Sequence, residues 1–296
     1  MKEYTGKEVI VMACSNCNAN CSHCYISYKG NRTPEDLLSI VRNLKKRYSL
    51  NINGAEVLTN FDYLKSYKEI GQHFVLTNGI VFLKNGNVCN TLKENDISSI
   101  SLSYHFGIQD NLSPVKIRDL DKIVDIIKSN NFEFRLMTTI TSENYKLIPY
   151  MCKKTEELGA RGIKFTNFMK QGNGKNLDNK NILSDSQINN FFKLLLEERD
   201  KYKIEELIIE RCGTFGKNTL SSHDNFYCDC ITDSIVLTPD NNIYPCVFLA
   251  QPGYEIGKFE NGKIYIYENY ENNHDRCIAK QICNEHKKIL VKKGVG

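Results

Sequence analysis

Three cysteines within eight residues constrain this chain more than any other feature. The stretch Cys17-Asn18-Ala19-Asn20-Cys21-Ser22-His23-Cys24-Tyr25 has the spacing C-x3-C-x2-C. Thiolates this close can ligate three irons of a 4Fe–4S cube and leave the fourth iron without a protein ligand, whereas electron-transfer cubes take four cysteines. An open position is what separates a catalytic metal site from a structural one. Cys14 stands just upstream, and with it the run reads C-x2-C-x3-C-x2-C. That is close to a bacterial ferredoxin run, but the spacings are ordered differently and no proline follows the last cysteine. Two zinc knuckles would stand roughly 12–20 residues apart. The preferred reading is an open-iron cluster on Cys17, Cys21 and Cys24, with Cys14 outside it; ferredoxin-like and zinc sites are the alternatives.

Composition narrows the class. At 296 residues, with 41% hydrophobic and 25% charged residues, the chain reads as one large or two ordinary globular domains. A net charge of +4 from scattered basic residues gives no reason to expect nucleic acid. The start, Met1 to Lys7, and the short apolar run Val9 to Ala13 do not make a signal peptide. No segment has the length of a membrane span. Twelve cysteines without a secretory signal point to metal in a reducing cytoplasm rather than to disulfides. The isolated Cys89 and Cys152 read as buried small hydrophobes.

Strand and helix patterns alternate along the first two thirds. Glu8 to Met12 reads as a buried strand with the thiol loop directly after it. Thr33-Pro34-Glu35-Asp36 starts a helix with a capping Thr, Pro at the first position and acids in the first turn. Further strands are expected at Leu50 to Asn53, Phe74 to Thr77, Ile97 to Ser103, Phe132 to Ile140 and Gly162 to Phe168. Helices are expected around Leu64 to Ile70, Leu120 to Ser129, Glu143 to Leu158 and Ser184 to Lys203. Such alternation argues for a parallel sheet flanked by helices, with too few units for an eight-unit barrel. Ligands in such folds sit at the carboxyl ends of the strands.

The motif Cys-Asn-x-x-Cys-x-His-Cys-Tyr resembles the cluster motif of radical S-adenosylmethionine (SAM) enzymes, especially those with a cysteine-rich C-terminal extension. The resemblance implies an α/β fold, an open partial (β/α)6 barrel, over residues 1–204. It also implies a 4Fe–4S cluster that binds SAM and cleaves it to a 5′-deoxyadenosyl radical. Asn53-Gly54-Ala55-Glu56 then occupies the place of the family's Gly-Gly-Glu. Gly54 and Ala55 would offer backbone to the SAM ammonium and Glu56 its carboxylate. Asn78, in Thr77-Asn78-Gly79, resembles the family's turn after strand three. Ser101 and Ser103 stand where relatives have Ser-Leu-Asp. Tyr25, Thr139 on strand five and Phe168 after strand six complete the implied SAM contacts. Phe168 leads into a glycine loop, Gly172-Asn173-Gly174. His105 reads as a loop residue. Arg135, Thr138 and Thr139 face either the cofactor or backbone partners.

Residues 205–296 read as a small cysteine-rich iron–sulfur extension containing a β-hairpin. Cys228-Asp229-Cys230 precedes an alternating run, Ser234 to Thr238. Pro239-Asp240-Asn241-Asn242 makes a turn, and Ile243-Tyr244-Pro245-Cys246 returns. The hairpin resembles the start of the SPASM or Twitch extension of radical SAM enzymes, with Asn241 in place of a glycine. Full SPASM domains hold two auxiliary clusters, and two of the later thiols are missing here. The resemblance therefore implies one auxiliary 4Fe–4S cluster, with Cys228, Cys230, Cys246, Cys277 and Cys283 as candidate ligands. His274 and His286 are substitutes, and a zinc site is the alternative.

These resemblances imply a radical SAM maturase acting on a ribosomally synthesised precursor peptide, by epimerisation, crosslinking or oxidation. An electron donor such as flavodoxin or ferredoxin would serve it. With only Met1 to Lys7 ahead of the first strand, the leader is expected to bind the barrel or a separate leader-binding protein. A Twitch-type enzyme for a small molecule such as a sugar alcohol, and a non-enzymatic iron–sulfur carrier, are the other readings. Cys212 stands apart from the hairpin thiols. It is a candidate catalytic hydrogen donor, an auxiliary ligand or a bystander.

Overall fold

A computed structural model describes residues 1–211 and 233–268, and the backbone of 287–292. In chain order the strands and helices are β1 (Lys2–Glu3), β2 (Glu8–Met12), α1 (Pro34–Leu44), β3 (Ser49–Asn53), α2 (Leu64–Glu69), β4 (Phe74–Thr77), α3 (Ile80–Lys84), α4 (Val88–Glu94), β5 (Ser99–Ser103), α5 (Gln109–Leu112), α6 (Ile117–Ser129), β6 (Glu133–Ile140), α7 (Ile148–Leu158), β7 (Gly162–Asn167), α8 (Asp185–Glu198), β8 (Glu206–Arg211), β9 (Ser234–Leu237), β10 (Asn242–Tyr244), β11 (Gly257–Glu260), β12 (Lys263–Ile266) and β13 (Lys287–Lys292). All six strands expected in the first two thirds are present. The short helices α3, α4 and α5 lack the length that makes a periodicity readable.

The chain forms two compact units, each assembled from separated segments. The first comprises Met1–Asn18, Tyr25–Ser98 and Asp229–His274. It holds a mixed sheet in the order β1-β12-β11-β10-β9-β2-β3. β2 pairs in parallel with β3 and with β9, and the remaining neighbours are antiparallel. The C-terminal hairpin thus continues the sheet that begins with the first strands, on the other edge of β2 from β3.

Local chemistry accounts for the helix ends. The Thr33 hydroxyl accepts the Asp36 amide at 3.1 Å, Pro34 occupies the first turn, and α1 buries Leu37, Ile40, Val41 and Leu44. Asn241 adopts φ 65°, the left-handed conformation that the expected glycine replacement requires. Arg32 locks this turn. Only 4% exposed, its guanidinium donates to the Asn241 Oδ1 at 2.9 Å, the Thr238 carbonyl at 2.5 Å and the Asp36 carboxylate at 3.1 Å.

The second unit comprises Ala19–Cys24, Ser99–Cys228 and Asp275–Gly296. β5, β6, β7 and β8 run parallel in that order, and β13 closes the far side of β8 antiparallel to it. β8 continues the parallel sheet just past residue 205. α6 buries Leu120, Ile123, Val124 and Ile127. α8 begins with a capping box between Ser184 and Gln187. In both units the segments bearing the expected site residues follow the carboxyl ends of parallel strands.

Arg32→Ala removes three charge-assisted hydrogen bonds, to Asp36, Asn241 Oδ1 and the Thr238 carbonyl, which keeps only the Asn241 amide. Stability should fall by about 3 kcal/mol, read as a lower urea midpoint with an unchanged slope. An unchanged midpoint would show that the Asn241 turn holds itself.

Candidate functional site

In the first unit, parallel register brings the ends of β2 and β3 level. Met12 lies opposite Asn53, and the Ala13 amide donates to the Asn53 carbonyl at 2.7 Å. The next residues cross over. The Ala55 amide donates to the Cys14 carbonyl at 2.9 Å, and the Glu56 amide to the Asn16 carbonyl at 3.2 Å. The Gly54-Ala55-Glu56 segment is therefore stitched to the chain entering the thiol motif. A Cβ on Gly54 would stand 2.9 Å from the Cys14 sulfur and 3.0 Å from Val57 Cγ1. This glycine is required by packing on Cys14.

Cys14 is 1% exposed, and burial pushes its thiol up from the ordinary value. Cys17 is exposed. Asn78, at the end of β4, joins Cys17 to Glu56. Its side-chain amide donates to the Cys17 sulfur at 3.5 Å and to Asn18 Oδ1 at 2.8 Å, while its backbone N–H donates to Glu56 Oε2 at 2.7 Å. Gly79 follows with φ 85°, and the Thr77 hydroxyl accepts its amide.

Glu56 is 1% exposed. Burial raises its pKa to about 7, and the Asn78 amide, the Thr77 hydroxyl and the Leu58 amide only partly offset this. Its Oε1 is buried and makes no hydrogen bond. An orphaned carboxylate oxygen in this position fits an ammonium donor. Tyr25 packs its ring on Phe248, with centroids 4.8 Å apart. Cys246 is half-buried and opens the turn Val247–Leu249. The other expected auxiliary ligands, Cys228, Cys230, Cys277 and Cys283, with Cys212, His274 and His286, lie outside the described residues.

In the second unit, Cys21 and Cys24 are half-buried thiols, and burial pushes the Cys21 thiol up. The loop after β5 and the glycine loop after β7 hold the turn that carries them. Cys21 Sγ lies 3.6 Å from the Ser113 hydroxyl, and the Ser22 amide donates to the Leu112 carbonyl at 2.9 Å. The Asn173 side chain donates to the Cys21 carbonyl at 3.0 Å and the Gly174 amide to the Cys24 carbonyl at 3.2 Å. A Cβ on Gly174 would come within 2.7 Å of the Met169 carbonyl and 3.4 Å of the His23 carbonyl. The glycine loop grips the thiol turn.

Ser101, Thr139 and Phe168 are buried, and Ser103 is half-buried. The Thr139 hydroxyl meets that of Thr166 at 3.4 Å, and Arg135 pairs with Glu206 at 3.1 Å. Ser113 had no place in the sequence reading of the site, His105 read there as a loop residue, and His23 and Asn173 entered it only as members of the thiol motif and of the glycine loop. Among the described residues, no three His, Cys, Asp or Glu side chains are already gathered at metal-holding distance, and no helix is long and apolar enough to cross a membrane.

No protein-family model matches the chain. A curated relative, the uncharacterized protein MJ0907 of Methanocaldococcus jannaschii, is 28% identical over 182 residues, covering 55% of this chain and 62% of its own length. Among solved structures, Streptococcus suis SuiB bound to precursor peptide SuiA superposes with TM-score 0.67 at 15% identity, over 86% of this chain and 62% of SuiB. The protein anSMEcpe with bound AdoMet superposes with TM-score 0.64 at 18% identity, over 85% of this chain and 77% of its own. Bound to AdoMet and the Cp18Cys peptide, it gives 0.62 at 19% identity, over 86% and 77%. The chain thus spans less than two thirds of the length of MJ0907 and of SuiB. At these identities the likeness is one of fold: a mixed α/β architecture with parallel strands, shared with SuiB and anSMEcpe.

Between pH about 4.5 and 7 the native protein holds the Glu56 proton that the unfolded chain has released. Stability from this group therefore falls as pH rises through that window and is level above it, a span of about 3 kcal/mol. Urea unfolding of the metal-free protein should show Glu56→Gln gaining on the wild type by that amount across the window. A pH-independent difference would place the carboxyl in the ordinary range.

Proposed function

We propose that this chain is a radical SAM enzyme that modifies a ribosomally synthesised peptide. The observation that carries the reading is the Asn78 bridge. One residue at the end of β4 touches both the first thiol of the motif and the buried carboxylate whose second oxygen has no partner. Cys17, Cys21 and Cys24 would hold the cluster, and Glu56 would take the SAM ammonium. When bound, the cluster and SAM supply a 5′-deoxyadenosyl radical that abstracts hydrogen from the substrate.

The residues of the chain do the rest. Glu56, buried and half-protonated near neutrality, becomes a full anion when a cation meets Oε1, because an opposite charge at contact offsets burial. Cys14 stays out of the site: it is closed in by Gly54 and deprotonates less readily than an ordinary thiol. Cys21 must lose its proton to bind iron, which makes loading pH-dependent. The three thiols sit on a stretch without regular secondary structure, which lets them close round the metal.

The peptide substrate is supported by the precursor peptide bound to SuiB and the peptide bound to anSMEcpe. In this reading the part beyond about residue 205 carries one auxiliary cluster that includes Cys246. A cytoplasmic flavodoxin or ferredoxin supplies electrons, and the leader peptide binds the barrel or a separate protein. Cys212 is the hydrogen donor of an epimerase or a further ligand, and the product decides. An epimer made in D2O gains about one mass unit per residue, since one exchanged hydrogen replaces one from carbon, whereas a crosslink loses two hydrogens.

After anaerobic reconstitution, Cys17→Ala, Cys21→Ala and Cys24→Ala should each abolish cleavage of SAM to 5′-deoxyadenosine, while Cys14→Ala keeps it. Full cleavage by Cys21→Ala would sink the reading. The wild type should bind about eight irons and the triple alanine variant about four, two cubes against one. A triple variant without iron removes the auxiliary cluster from the proposal.

A further inference from the structure

His105 is 7% exposed and follows β5 in the second unit. Every polar atom of its backbone amide and ring that the loop buries has a partner. Its backbone N–H donates to Gln109 Oε1 at 2.8 Å, and Gln109 in turn donates to the Val115 carbonyl at 2.8 Å. The Thr139 backbone N–H points at His105 Nδ1, 3.1 Å away. A backbone amide can only donate, so Nδ1 accepts and the ring proton sits on Nε2.

That assignment propagates. His105 Nε2 lies 3.1 Å from His23 Nε2, and the two rings meet edge-on with centroids 4.3 Å apart. His23 Nε2 must accept, so its proton sits on Nδ1, which donates to the Leu112 carbonyl at 3.3 Å. One backbone amide on β6 thus fixes the tautomer of both rings and the direction of every hydrogen bond between them. His23 lies between Cys21 and Cys24, and the same Leu112 carbonyl also accepts the Ser22 amide and hydroxyl.

We propose that His105 is a positioning residue for the thiol turn: through its fixed Nε2–H tautomer it holds His23, and with it Cys21 and Cys24, in the arrangement that receives iron. The inference rests on the radical SAM reading for the identity of the metal, and on this chain's own geometry for the relay. Outer partners of metal ligands act in this way, by fixing orientation before and during binding.

Two measurements test it. In the metal-free, ¹⁵N-labelled full chain, long-range ¹⁵N–¹H spectra should show His105 as the Nε2–H tautomer and His23 as the Nδ1–H tautomer. The opposite tautomer at either ring overturns the relay. Secondly, His105→Leu keeps bulk without hydrogen bonds, whereas His105→Gln can accept from Thr139 and donate to His23. Resistance of the N-terminal iron to a chelator, taken as the difference from the triple cysteine variant, should fall about tenfold in His105→Leu. His105→Gln should restore most of it, together with the wild-type electron paramagnetic resonance line shape. Equal retention in wild type and His105→Leu, or equal loss in the Leu and Gln variants, overturns the positioning role. If His105→Leu does not fold, the tautomers decide. If the wild type binds no iron, the cluster reading fails while the tautomers still test the relay.

Discussion

The parallel pairing of β2 with β3 sets the position of everything at the thiol-bearing end of the first unit. Because Met12 stands opposite Asn53, both strands end at the same height, and their following residues can exchange backbone hydrogen bonds. Those bonds bring Glu56 down beside the start of the motif. A slip of one residue would turn Ile52 out of the core and carry Gly54 away from the Cys14 sulfur. The orphaned Glu56 oxygen would then have a different neighbourhood. Its burial follows from a register decided by Val9, Val11 and Ile52, all fully buried.

The glycines near the motif illustrate how one residue type answers different demands. Gly79 serves a left-handed turn, which an Asn-Gly pair announces in sequence. Gly54 and Gly174 serve close packing, one against a thiol and the other against two carbonyls. Neither can be told from the other by inspection of the sequence, since the neighbour that forbids a side chain is distant along the chain.

The alternation of strands and helices was legible because each long element carries its own period and caps. Thr33-Pro34 and Ser184 announce α1 and α8, and the hairpin is announced by its alternating residues and the turn at Asn241. The motif thiols and Glu56 were singled out by spacing and by position after a strand, and the fold places Glu56 and Cys17 together on Asn78. His105, Ser113 and Asn173 were not. They meet the thiol turn from the segments after β5 and β7, His105 through the His23 ring, Ser113 through the Cys21 sulfur and Asn173 through the Cys21 carbonyl, and no local pattern encodes a contact across so many residues. Asn78 was found for its turn, and its grip on both Cys17 and Glu56 needed three dimensions. Arg32 was silent for the same reason: its partners Thr238 and Asn241 lie in the hairpin.

The pairing of β2 with β9 has a consequence for the order of events during synthesis. Glu8 to Val11 pair with Ser234 to Leu237, so one edge of the second strand made waits for a strand more than two hundred residues later. At about 5–20 residues per second, the interval on the ribosome is of the order of tens of seconds. For that time β2 offers an open edge directly before the run of thiols, and such edges invite pairing with other chains. Contacts this remote in sequence also slow the search for the native state. A newly made chain therefore exposes its thiol-bearing loop before the sheet beneath it is complete.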